Sequence, residues 1–80
     1  MARFTVILGF GGKTYLRQVK ATSAHAALKS IAAGKHGKAA LFRALAKDRP
    51  VAIDGIENCW CCSAEYRGDL ALVNIVKTAE

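Results

Sequence analysis

The chain has 80 residues, 52% of them hydrophobic and 22% charged, with a formal net charge of +6. That size and composition allow one packed domain over residues 1–80, and they exclude a second core, a disordered chain and any apolar run near the roughly 20 residues that cross a bilayer. The charge is lopsided: residues 1–47 hold nine Lys/Arg and no Asp or Glu, whereas residues 48–80 hold six acids and three bases.

Phe4, Val6, Leu8 and Phe10 alternate with Arg3, Thr5, Ile7 and Gly9, which predicts a first strand with one strongly apolar face. Gly11-Gly12 supplies the positive backbone angles of a tight hairpin. Thr14 to Ala21 reads as the return strand. Its bases fall on both faces, Arg17 with Tyr15 and Val19 and Lys20 with Leu16, so its register stays open and an edge position suits it. Ala24, Ala27, Leu28 and Ile31 then recur at helical spacing, with Ser23 as N-cap and Gly34 as the stop. His25 and Lys29 share the outer face of that helix. A second helix is predicted over Lys38 to Lys47, with Leu41, Phe42 and Leu45 buried and Arg43 and Lys47 nearly opposite. Asp48-Arg49-Pro50 ends it. Beyond, Val51 to Ile53 reads as a short strand and Cys59 to Tyr66 as a longer one. Arg67-Gly68-Asp69 reads as a turn, and Leu70 to Lys77 as the last strand. The fold class expected is α+β: a small antiparallel sheet of an N-terminal hairpin plus C-terminal strands, with two short helices on one face.

Catalytic patterns are missing. Gly12-Lys13-Thr14 ends like a phosphate-binding loop, but Ile7 stands where that pattern needs glycine, and a strand follows instead of a helix. Cys59 and Cys62 have C-x-x-C spacing without the second pair that zinc requires, so His25 or His36 would have to complete the set. On a strand, Cys59 and Cys61 share one face while Trp60 and Cys62 share the other. The three cysteines read as small core residues, with an intermolecular disulfide through an exposed one of Cys59, Cys61 and Cys62 as the alternative. Their odd, clustered count fits a reducing cytoplasm, and the strand-like N-terminus does not read as a signal peptide. Tyr15, Trp60 and Tyr66 read as packing before stacking on bases. No acid or serine is positioned by the sequence to work with either histidine, so a non-enzymatic protein without metal or cofactor is expected.

The acid-free front points to an anionic partner, with Arg17, Lys20, Lys29, Lys35, His36, Lys38, Arg43 and Lys47 as the residues expected to meet it. Gly34-Lys35-His36-Gly37, between two helices and flanked by strands, resembles the GxxG loop of KH domains. That resemblance covers about Thr14 to Ile53 and implies contact with an RNA or DNA backbone. Across its whole length the chain also resembles small phage and prophage accessory proteins, among them the anti-CRISPR proteins of type I systems. The single-domain length, the opening hairpin and the run from Val19 to Leu28 into a helix carry that likeness. It implies an inhibitor in the host cytoplasm that docks on a protein or ribonucleoprotein complex and blocks target DNA. Because this chain is basic, the resemblance implies docking on an acidic surface or on nucleic acid. The chain itself is expected as a monomer or as a weak or disulfide-linked dimer through the cysteines.

Overall fold

The computed structural model describes residues 1–79. The elements run β1 (Ala2–Phe10), β2 (Lys13–Ala21), α1 (Ala24–Ala32), α2 (Ala39–Leu45), β3 (Val51–Ala52), β4 (Cys59–Tyr66) and β5 (Asp69–Ala79). The five strands form one sheet in the order β2-β1-β5-β4-β3, and every neighbouring pair is antiparallel. Both helices lie on one face, so the α+β architecture is the one expected.

The first and last strands pair at the centre of the sheet. Phe4, Val6 and Leu8 of β1 and Ala71, Val73 and Ile75 of β5 are buried on its helix side. Ala27, Leu28 and Ile31 of α1 and Leu41, Phe42 and Leu45 of α2 close over them. Each buried Leu, Ile or Phe contributes on the order of 1.5–3 kcal/mol, and the alanines let helix and sheet backbones approach closely. Two aromatic pairs link β1 to β4 across the intervening β5: Phe4 with Trp60 at 5.8 Å and Phe10 with Tyr66 at 5.9 Å between ring centroids.

The hairpins are set by local chemistry. Gly11 and Gly12 take φ of 60° and 77°, the left-handed pair of a two-residue turn whose twist matches the strands. Arg67 and Gly68 do the same between β4 and β5, at 52° and 83°, so the Arg67-Gly68-Asp69 tripeptide is a hairpin turn and the start of a strand. Strand β2 is an edge, as its mixed pattern suggests, and the two-residue β3 is the other.

Helix α1 starts as expected, with Ser23 Oγ accepting the Ala26 amide at 3.1 Å. It ends one residue before Gly34: Ala33 is the C-cap in ordinary right-handed geometry. Gly34 therefore does not serve as a left-handed stop. A Cβ there would lie 3.0 Å from the His36 ring and 3.2 Å from the Ile31 carbonyl, so glycine is required by close approach. Helix α2 is shorter than the spacing predicts, stopping at Leu45 with Ala46 as C-cap, which leaves Lys47 on the following turn. Strand β5 is longer than expected, because pairing with β1 continues to Ala79.

Candidate functional site

The hairpin register decides where each base of the front half goes. Directly opposed residues of an antiparallel pair share a face. Arg17 opposes buried Val6 and Lys13 opposes Phe10, so both lie on the helix side of the sheet. Lys20 opposes Arg3, on the outer side, away from the helices. Lys29, Lys35, Lys38, Arg43 and Lys47 all belong to the helix layer. Seven of the nine front-half bases thus gather on the helix side, and only Arg3 and Lys20 lie on the other. Among the described residues, no ion pair neutralises any of the nine.

Some of these groups are also fastened to the fold. His36 Nε2–H donates to the Ile31 carbonyl at 2.9 Å, while Nδ1 accepts the Lys38 amide at 3.2 Å. Those two bonds require the neutral Nε2–H tautomer, and the ring packs edge-on against Phe42 at 6.0 Å. Arg43 Nη1 donates to the Ala32 carbonyl at 3.2 Å, a cation on the C-terminal end of α1 where the helix dipole favours it. Lys38 Nζ sits 4.6 Å from the centroid of the Tyr15 ring. His25 Nε2–H donates to the Ala46 carbonyl at 2.9 Å, tying the start of α1 to the end of α2.

The predicted partner residues therefore divide by placement. Lys38 sits over Tyr15, exposed Lys35 extends from the same loop, and Arg17, two residues along β2 from Tyr15, donates to the Leu16 carbonyl at 3.0 Å. Exposed Lys29, Arg43 and Lys47 continue the basic surface over the helices. His36 is turned inward onto α1, and Lys20 lies on the opposite face. Lys13 and Tyr15, neither of them among the expected partner residues, complete the group. The Gly11-Gly12 turn is the signal for them, since a two-residue loop sets Phe10 against Lys13 and thereby the whole register. At the far end of the helix layer, a cleft of about 390 Å³ is lined by Ser23, His25, Arg49, Pro50, Trp60 and Lys77 among others. Among the described residues, no Asp or Glu lines it.

The cysteines split between the two faces. Cys59 and Cys61 oppose Val76 and Asn74 on the outer face, whereas Cys62 opposes buried Val73. Cys62 Sγ approaches the Leu45 carbonyl at 4.0 Å. Burial first, then Cys61 and Asp48, push the Cys62 thiol from 9.0 up to about 11. All three are thiols, and among the described residues no group of three or more His, Cys, Asp or Glu converges as a metal site. Facing opposite sides of the sheet, Cys59 and Cys62 cannot chelate one ion together.

Among the described residues, no helix is long and apolar enough to cross a membrane. No known family, curated protein or solved structure matches the chain.

Proposed function

We propose that this chain is a non-enzymatic docking protein whose helix side binds an anionic surface of a protein or ribonucleoprotein complex. The observation that carries the reading is the asymmetry: of the nine front-half bases, seven stand on the helix side and two on the outer face, none in an ion pair among the described residues, in a molecule of net charge +6. Lys29 and Arg43 project from helices that rest on a close-packed core, with Lys35, Lys38 and Lys47 on the loops beside them. The resemblance to type I anti-CRISPR proteins narrows the partner to a host interference complex, with occlusion of target DNA as the effect.

Lys35→Glu with Lys47→Glu is the informative variant, because both residues are exposed and neither makes a hydrogen bond that holds the fold. Immobilised protein exposed to purified interference complex should retain it, and the double variant should lose it. Lys20→Glu, on the other face, should behave as wild type. Equal retention by all three proteins would refute the docking face.

Direct binding of RNA or DNA is the second reading, favoured by the grouping of Tyr15 with Lys38, Arg17 and exposed Lys35. It predicts anisotropy binding of a labelled single strand that weakens by orders of magnitude between about 50 and 200 mM salt. No binding at the lower salt removes this reading and leaves the first intact.

A further inference from the structure

The outer face of the sheet has no layer packed on it in the described chain. Register places Leu16, Ile7, Leu72, Leu70, Val76 and Val51 there, all on the side opposite the buried residues. Leu16, Leu70, Leu72 and Val51 are between 46% and 67% exposed. Single exposed leucines are ordinary, but these side chains are neighbours. Ile7 opposes Leu16 on one side, and Leu72 lies one pleat away across β5, opposite side-chain-free Gly9. Leu16, Ile7, Leu72, Leu70 and Val76 form an aliphatic patch around Asn74, bordered by Thr5, Gln18 and Ser63, and such a patch marks an interaction surface.

We propose that this face is the interface of a homodimer, covered by a second copy of the same chain. Charge placement selects that occupant. The ionised side chains that the strands put on this face are Arg3 and Lys20, side by side where β1 begins, and Glu65, diagonally opposite at the far end of β4. Arg3 and Lys20 are directly opposed like charges, an arrangement that is unfavourable until an acid joins them. A two-fold axis lying in the interface, perpendicular to the line from Arg3 to Glu65, exchanges the two corners. It sets Arg3 and Lys20 of each copy against Glu65 of the other and the aliphatic patch around Asn74 against its counterpart, the self-complementarity of an isologous contact. A nucleic acid would instead meet leucines, and an acidic protein would find two bases beside one acid.

The size is sufficient. Four strands about 4.8 Å apart, with roughly nine residues rising about 3.3 Å each, present about 19 × 30 Å, so two copies bury roughly 1,100 Å² and clear the ~1,000 Å² expected of a specific interface. The dimer leaves both basic helix sides outward. It does not depend on what they bind.

Light scattering on the eluting protein should give a mass near twice the 8.5 kDa of one chain. Leu16→Lys with Leu72→Lys should return a single-chain mass while circular dichroism retains the native spectrum. Glu65→Lys alone should weaken dimerisation about tenfold or more by placing like charges at both corners. Adding Arg3→Glu and Lys20→Glu to Glu65→Lys should restore the dimer, a rescue that a folding defect cannot produce. A wild-type monomer at about 1 mM overturns the proposal, since that concentration populates even a weak dimer. A dimer indifferent to Leu16 and Leu72, or a corner reversal without rescue, overturns it equally. So does a chain that stays monomeric while its outer face captures a different protein.

Discussion

His36 Nε2–H donates to the Ile31 carbonyl across 2.9 Å, which makes the Gly34–Gly37 loop part of the end of α1. The loop has the glycines of a flexible phosphate clamp, yet its central histidine is folded back onto the helix and against Phe42. Of the loop's two glycines, only Gly37 has open space where a side chain would stand. Two consequences can be measured by urea denaturation. His36→Ala should cost about 1–2 kcal/mol, because it frees the Lys38 amide and removes one of the two hydrogen bonds on the Ile31 carbonyl, which still accepts the Gly34 amide at 3.1 Å. Gly34→Ala should also destabilise, by about 1 kcal/mol, as the new methyl meets the His36 ring and Ile31 carbonyl. In the double variant the Gly34→Ala penalty should shrink, since one of its two obstacles is gone. Strict additivity would mean the ring does not constrain Gly34.

Arg43 has a structural task and an exposed charge, and the two are separable. Arg43→Met keeps the aliphatic stem but removes the bond to the Ala32 carbonyl, so stability should fall by up to about 1 kcal/mol. Arg43→Lys keeps the charge, and docking on an anionic partner should persist. If Met and Lys variants bind alike, Arg43 contributes to the fold and not to the partner contact.

The Arg67-Gly68 turn holds a strained arginine. Its φ of 52° is left-handed, where asparagine or glycine is favoured and a long side chain is not. Arg67→Asn should raise the thermal midpoint by an amount equivalent to about 0.5–1 kcal/mol. Gly68→Ala, at φ 83°, should lower it. A neutral Arg67→Asn would indicate that the exposed Arg67 guanidinium over the Tyr66 ring, 5.4 Å away, compensates the backbone strain.

Local chemistry made much of this fold readable in advance. Ser23 before Ala24, the stripe from Ala24 to Ile31, and Gly11-Gly12 between two alternating runs each act over a few residues, and each appears as expected. The pairing of β1 with β5 was not readable, because it joins the two ends of the chain and no short-range pattern encodes it. The functional residues show the same division. Lys29, Lys35 and Lys47 are exposed, as their helical spacing or loop position suggests. His36 and Arg43 look from sequence like surface cations, and their bonds to Ile31 and Ala32 appear only once the helix ends exist as acceptors. Lys20 lies with Arg3 on the face opposite the other expected partner residues; the pattern of an edge strand with bases on both faces does not reveal that side, whereas the register counted from the Gly11-Gly12 turn does.

The cysteines should react in an order set by face and burial. Cys59 and Cys61 lie on the outer sheet face, whereas Cys62 lies beneath the end of α2 with its thiol raised from 9.0 to about 11. The thiolate is the attacking species, so iodoacetamide at pH 8 should modify Cys59 and Cys61 well before Cys62 in the Leu16→Lys, Leu72→Lys variant, whose outer face no second copy covers. Mass spectrometry of the digested protein reads the three sites separately. The sign of the pH effect follows from the same shift. The native state holds the Cys62 proton more tightly than the unfolded chain does, so its contribution to stability is complete below pH 9 and is lost as pH rises through about 11. Cys62→Ala should flatten that alkaline limb in denaturation curves between pH 9 and 11, even if it lowers stability at every pH by leaving a gap under Leu45. Equal labelling of all three cysteines at pH 8 would place Cys62 in solvent and contradict its position under the helix.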